Sequence, residues 1–244
     1  MNDDRILFSI ENVYKCFPNG TEALSGITVD IFSGQCLLIA GSNGSGKTLL
    51  MHMITGLIDS SGGTIRYKGE VLSHALPLIR RQVGLVFQDA DAQVVGETVA
   101  EDVAFGPKNM GFSKPDIETR VNAALRAVGL DSKRDVLPHQ LSGGEKRRLA
   151  VAGILAAGAD LIIMDEPFAN LDWPGVVQVL EIIRNQKQSG KTMILLTHEL
   201  EKVYVLADRL IILHNGRIHA DGSPEEVLNR LDPAWGVHDP RQAY

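Results

Sequence analysis

Cys36-Leu37-Leu38-Ile39-Ala40 runs directly into Gly41-Ser42-Asn43-Gly44-Ser45-Gly46-Lys47-Thr48, and this stretch decides the fold. The apolar run reads as a short strand buried on both faces. The eight residues after it fit G-x-x-x-x-G-K-[ST], and a helical pattern follows from Gly46 to about Leu57. Strand, glycine loop and helix together are the setting in which that pattern holds phosphate. Glycines let the backbone curl until successive N–H groups face one anion. The helix N-terminus adds partial positive charge. Lys47 is placed to reach the β- and γ-phosphates of a nucleoside triphosphate, and the Thr48 hydroxyl to ligate Mg²⁺. A lysine in such a loop is expected to pack little against the fold.

A second run, Leu161-Ile162-Ile163-Met164, ends in Asp165-Glu166. A buried strand cannot carry charge in its middle, so both carboxylates emerge at its C-terminal edge, where α/β sheets bind ligands. Asp165 suits Mg²⁺, held through water, and Glu166 suits polarisation of an attacking water. Further short apolar runs, Met193–Leu196 and Leu210–Leu213, alternate with helix-like segments. That alternation predicts a mostly parallel sheet covered by helices. Leu7–Val13, Gly26–Phe32 and Gly63–Tyr67, broken by Pro18-Asn19-Gly20, Ser33-Gly34 and Lys68-Gly69, predict antiparallel strands at the N-terminal side instead.

Residues 90–140 contain no strong strand and an amphipathic stretch from Pro115 to Val128, so they read as a helical insertion. His214-Asn215-Gly216-Arg217 is a hairpin turn signal, and Ser223-Pro224-Glu225-Glu226 opens a helix. The tail beyond Leu231 holds Pro233 and Pro240 without periodicity and is expected to be loosely held.

The composition narrows the function. The chain has 244 residues, 44% apolar and 22% charged, with a net charge of −6. Such a balance excludes wholesale disorder and argues against a surface built for nucleic-acid phosphates. No apolar run approaches the roughly 18–20 residues of a bilayer span, and Met1–Arg5 has no leader pattern, so the chain is expected to be neither exported nor membrane-spanning. Cys16 and Cys36 are expected to be buried, reduced thiols. The seven histidines show no clustered ligand spacing.

Leu141-Ser142-Gly143-Gly144-Glu145-Lys146-Arg147-Arg148-Leu149-Ala150 carries the most information. Ser142 caps a helix and Glu145 closes a capping box. Gly143 and Gly144 lower helix propensity but leave the first N–H groups uncovered, which makes an anion site. The segment resembles the signature motif of ATP-binding cassette (ABC) ATPases, and the resemblance extends from about Phe8 to Leu228. It implies an α/β P-loop fold of the ABC type with an N-terminal antiparallel β-subdomain. A single domain of residues 5–231, with a helical subdomain at about 90–160 and a tail at 232–244, is the expected organisation.

The resemblance also implies roles. Phe17 stands where the family stacks an aromatic ring on adenine, with Tyr14 a nearby alternative. Gly41, Ser42, Asn43, Gly44, Ser45, Gly46, Lys47 and Thr48 hold ATP in cis. Ser142, Gly143, Gly144 and Glu145 hold it in trans, on a second ATPase chain. Gln88 matches the Q-loop glutamine, Asn170-Leu171-Asp172 the D-loop and His198 the switch histidine. Glu166, His198 and Gln88 are the implied catalytic set, and Thr48, Gln88 and Asp165 the implied Mg²⁺ donors. Departures are Glu145 where Gln is commoner and Ala169-Asn170 where Ser-Ala is frequent.

Phe87–Gln93, followed by Thr98–Gly111, resembles the energy-coupling-factor (ECF) branch, which includes cobalt and nickel import ATPases. Gln93 and a turn at Phe105-Gly106-Pro107 are the closest matches, while a proline common in that branch is Ala90 here. The implied function is ATP hydrolysis driving micronutrient uptake, a transition-metal ion or a vitamin. The implied partners are a second ATPase chain, a transmembrane coupling subunit and a membrane substrate-binding subunit, at the cytoplasmic face of the cell membrane. No nucleic-acid partner is implied. The alternatives are another ABC importer class or a non-transport ABC ATPase. The acidic run Asp89, Asp91, Glu97, Glu101 and Asp102 is expected to dock on a basic helix of the coupling subunit.

Overall fold

The computed structural model describes residues 6–242. The expected domain start at residue 5 and the last residues of the tail lie outside them. The chain divides into two compact units, one built from residues up to Arg80 and from Gly190 onward, the other from Arg81–Ser189.

The first unit opens with β1 (Ile6–Cys16), β2 (Glu22–Phe32), β3 (Cys36–Ala40), α1 (Lys47–Ile54), β4 (Gly62–Tyr67), β5 (Glu70–Val71) and α2 (Leu72–Gln82). An antiparallel sheet runs β2-β1-β4-β5, as the turn chemistry predicts. Leu7, Phe8, Ile10 and Val13 bury one face of β1, and Phe8 meets Tyr67 with ring centroids 4.7 Å apart. A bulge near Asn12, whose φ is 48°, bends β1 before Tyr14. Helix α2 went unread because Pro77, inside it, reads as a breaker.

The second unit holds β6 (Val83–Val86), α3 (Val99–Asn109), α4 (Lys114–Ala127), α5 (Gly143–Ala157), β7 (Leu161–Asp165) and α6 (Trp173–Gln188). β6 and β7 pair in parallel, with Val86 beside Met164. Gly84 disguises β6 as a turn, and its role is close packing: a Cβ there would come within 2.9 Å of Ile154 Cγ1 on α5. The expected turn at Phe105-Gly106-Pro107 is helical. It forms the last part of α3, where Gly106 lets α5 approach and a Cβ would stand 3.0 Å from Ala157 Cβ.

The chain then re-enters the first unit as β8 (Thr192–Thr197), α7 (Leu200–Val203), β9 (Arg209–His214), β10 (Arg217–Gly222) and α8 (Pro224–Leu228). Within that unit the order is β10-β9-β3-β8, with β3 parallel to both β8 and β9. Every residue of β3 and β8 is buried, which is why their sequences are unbroken. Fully burying each large aliphatic side chain contributes about 1.5–3 kcal/mol before entropy is charged against it. Asn215 and Gly216, at φ 48° and 71°, close the β9–β10 hairpin.

Two expectations are corrected here. The tail is held rather than loose: Trp235 packs on His219 at 5.6 Å, Val237 is buried, and Arg241 donates to Asn229 Oδ1 and Leu228 O at 2.7 and 2.8 Å. These are long-range contacts with no periodic signature. Of the two thiols only Cys36 is buried; Cys16 is exposed because it ends β1.

Candidate functional site

In the first unit, the loop after β3 is shaped by contacts that only glycine permits. A Cβ on Gly41 would be driven into Leu213 O and would come within 2.7 Å of Ser45 Oγ. Gly46 precedes α1 at φ 105°, and a Cβ there would meet Leu24 Cδ2 at 2.6 Å. Gly44 lies at φ 80° with open space beside it. The loop is also pinned from β10's turn, where Gly216 N donates to Ser45 O at 3.0 Å. Lys47 is 5% exposed, and its Nζ donates to Gly41 O at 2.7 Å and Ser42 O at 3.3 Å. The expectation that Lys47 packs little is therefore corrected. Burying an ammonium requires donors to find acceptors, and the loop's own carbonyls supply them. Ser45 is 2% exposed, and its Oγ has no hydrogen-bond partner among the described residues. No side chain caps α1. A glycine cradle, a buried ammonium, an unpaired buried hydroxyl and an uncapped helix start fit a polyphosphate.

The strand register places His198 with this loop. Thr197, the last residue of β8, pairs with Ala40, the last of β3, so exposed His198 and Gly41 leave the same end of adjacent parallel strands. The two aromatic alternatives near the end of β1 are open to the same degree, Tyr14 37% and Phe17 39% exposed. Tyr14 lies across Gly62, where a Cβ would collide with its ring. Phe17 has Lys15 Nζ 5.8 Å from its centroid.

In the second unit, Val86 beside Met164 brings Gln88 and the Asp165-Glu166 pair to one strand end. Asp165 and Glu166 are 3% and 5% exposed, and Glu166 holds φ 47°. A non-glycine residue there costs about 1–2 kcal/mol and persists only where its surroundings hold it. The capping box at Ser142 is formed: Glu145 N donates to Ser142 Oγ at 3.3 Å, and Ser142 N to Glu145 Oε2 at 3.0 Å. Gly143 has nothing within 4 Å of a Cβ, so the helix start is open on that side. A cavity of about 370 Å³ lies against it, lined by Ser142, Gly143, Gly144, Arg148, Asn170 and Asp172.

The sequence and structure are those of a known family. The ABC transporter family matches residues 24–169. Among the relatives are proteins named energy-coupling factor transporter ATP-binding protein. EcfA of Methanocaldococcus jannaschii is 38% identical over 91% of this chain and 81% of its own. EcfA2 of Methanospirillum hungatei is 39% identical over 91% of this chain and 57% of its own. Among solved structures, CbiO1 of Clostridium perfringens, part of the ABC transporter complex CbiONQ, superposes with a TM-score of 0.84. It is 33% identical and matches 92% of this chain and 91% of its own. The chain belongs to the ABC transporter ATPases, in the energy-coupling-factor branch.

As an ABC ATPase the chain hydrolyses ATP coupled to transport, and the expected fold class and family hold. What the motifs did not reveal is how the second unit is tied together. Arg147, 4% exposed, donates through Nη1 to Glu166 O at 2.5 Å and Asp165 O at 3.5 Å, and through Nη2 to Gln88 O at 2.8 Å. Burial pulls its guanidinium below its ordinary value, and the Asp165 and Glu166 charges pull it back up. Gln93 accepts from Phe87 N at 2.9 Å and donates to Leu85 O at 2.8 Å, so it clips the Q-loop to β6. A charged residue among the apolar positions of α5 was the one available signal for Arg147; Gln93 had none beyond its likeness to the branch.

The acidic run is less free than expected. Asp102 is buried and accepts from Val95 N at 2.7 Å and Gly96 N at 3.0 Å, so it shapes a loop. Asp91 is paired with Lys146. Asp89, Glu97 and Glu101 stay exposed.

Proposed function

We propose that this ABC ATPase powers uptake of a micronutrient, a transition-metal ion such as cobalt or nickel, or a vitamin. The observation that supports it most is the Gln88–Gly111 run, whose Gln93 clip gives the branch's second glutamine a physical job. In this reading the domain spans residues 5–231, with the helical subdomain at about 90–160. Gly41–Thr48 bind the triphosphate, Lys47 turns from its loop carbonyls to the β- and γ-phosphates, and Phe17 stacks on adenine. Thr48, Gln88 and Asp165 offer only oxygen donors, which suits a hard cation. Bound Mg²⁺ would neutralise charge developing on the phosphates. Glu166 takes the proton of the attacking water, Gln88 orients that water, and His198 donates to the γ-phosphate. Ser142, Gly143, Gly144 and Glu145 cap the ATP of a second ATPase chain. A homodimer is compatible, because this chain carries both half-sites.

No helix among the described residues is long and apolar enough to cross a membrane. Transport therefore calls for a transmembrane coupling subunit and a membrane substrate-binding subunit, with this chain peripheral at the cytoplasmic face. Exposed Asp89, Glu97 and Glu101 beside Val95, 60% exposed, and Phe105, 51% exposed, are the proposed docking surface. The test is to purify the chain with its membrane partners, identify the co-purifying small molecule, and measure its ATP-driven entry into vesicles or cells. Entry of a metal ion or vitamin is expected. An assembly that lacks a membrane substrate-binding subunit, or that exports, would overturn the reading.

A further inference from the structure

We infer that Arg147 is a positioning residue for ATP hydrolysis, holding the backbone of Gln88 and Glu166 so that both side chains are aimed. This rests on the reading of Glu166 as the base. The guanidinium is a planar fork with fixed donor directions. Its two terminal nitrogens reach carbonyls on both loops that leave the adjacent ends of β6 and β7. One side chain thus fixes the distance between the peptide of Gln88 and the peptide of Glu166. The bond to Glu166 O falls on the residue whose φ is 47°, on a carbonyl that also accepts from Ala169 N at 3.1 Å. Bonds from a charged donor are the stronger kind, and a site closed to 4% exposure does not let water replace them.

Arg147 also sits five residues after Ser142 on α5, whose start carries Gly143 and Gly144. A movement of that helix end is transmitted through a rigid rod to both carbonyls. The signature motif and the carboxylate are therefore mechanically joined by one side chain, without a shared ligand.

The terminal nitrogens of Arg147 are taken up by backbone carbonyls, so its removal should lower kcat and spare nucleotide affinity. The experiment compares the parent with Arg147→Lys, Arg147→Met, Glu166→Gln and the two double variants, using the full chain. The readouts are the Kd of a fluorescent ATP analogue, KM and kcat, and single-turnover phosphate release for the slow variants. Arg147→Met should lower kcat about 100-fold and Arg147→Lys about 10-fold, with Kd within about threefold. In the Glu166→Gln background, Arg147→Met should cost only about 10-fold, because the part of its effect that runs through Glu166 is already lost and only the part through Gln88 remains. Arg147→Met at the parent rate overturns the inference, as does a full additional loss in the Glu166→Gln background, or an affinity loss equal to the kcat loss. If Arg147→Met does not fold, Arg147→Lys keeps the charge and stem and decides by the same criteria. Glu166→Gln at the parent rate overturns both the base assignment and this inference.

Discussion

The glycine loop of the first unit and the carboxylate cluster of the second are built in opposite ways. The loop's functional residues are local: Gly41–Thr48 lie within eight residues and Lys47 donates back to Gly41 O, while Leu24, Leu213 and Gly216 press on the loop from outside. Its chemistry is written in order along the chain. The cluster is held by a tie from a separate helix: Arg147 reaches carbonyls at 88 and 166, while the Q-loop beside it is shaped locally by Gln93 returning to 85 and 87 and Asp102 to 95 and 96. A local site is broken most readily by adding an atom, an assembled one by removing a tie.

The largest effect should come from the assembled side. Glu166→Gln keeps size and hydrogen bonding but cannot accept the proton, so phosphate release should fall by about 10²–10⁴-fold while ATP still binds. An ATP-dependent dimer on size exclusion is the accompanying expectation. Hydrolysis near the parent rate would move the base elsewhere in the cluster.

The loop should show the opposite sensitivity. Gly41→Ala forces a methyl group against Leu213 O, which is backbone and cannot rotate away, so it should cost roughly 1–3 kcal/mol of stability or more and also weaken ATP binding. Lys47→Ala should chiefly weaken ATP binding, with a smaller stability loss of about 1 kcal/mol from its bond to Gly41 O. Urea midpoints and ATP titrations on both variants separate these effects. Equal stability losses would mean that steric fit in the loop matters no more than the ammonium.

This contrast also explains what could be read in advance. The parallel strands β3, β7 and β8 announced themselves because strands buried on both faces are unbroken apolar runs. The loop, the capping box and the Asn215-Gly216 hairpin are local rules written in adjacent residues. Strand β6 stayed hidden because Gly84, a turn residue by rule, is there to admit Ile154. The tail was misread because Trp235 on His219 and Arg241 on Asn229 are contacts no periodicity encodes. Among site residues, those assigned to nucleotide carry a motif, whereas Arg147 and Asp102 face backbone and have no spacing rule.

A milder test of the ties is Gln93→Leu, which keeps bulk and removes one acceptor and one donor from the edge of β6. Each bond contributes about 1 kcal/mol, so a stability loss of about 1–2 kcal/mol is expected, with ATP affinity unchanged. An affinity loss without a stability loss would mean that Gln93 acts on nucleotide and not on the loop.

The smallest effect concerns the start of α5, where a local cap and a distant tie meet in one carboxylate. Glu145 closes the capping box and pairs with Lys133 at 2.5 Å. Its carboxyl lies below the ordinary 4.5, chiefly through the hydrogen bond from Lys133 and further through Ser142, against the opposing effect of burial. A lowered folded value means that ionised Glu145 stabilises the fold above the ordinary glutamate range and stops doing so as pH falls through the folded value. Lys133 is 39% exposed, so solvent screens the pair and Lys133→Met should cost less than about 1 kcal/mol at pH 7. The variant removes the largest cause of the lowered value but leaves the capping box. The gap between parent and variant should therefore shrink as pH falls below 4.5 and both carboxyls protonate. Urea midpoints at pH 7 and about 3.5 measure that gap, with 0.5 M salt at pH 7 expected to narrow it as well. A gap that is the same at both pH values would mean that Lys133 stabilises the fold through its stem packing, and that the start of α5 depends on its local cap alone.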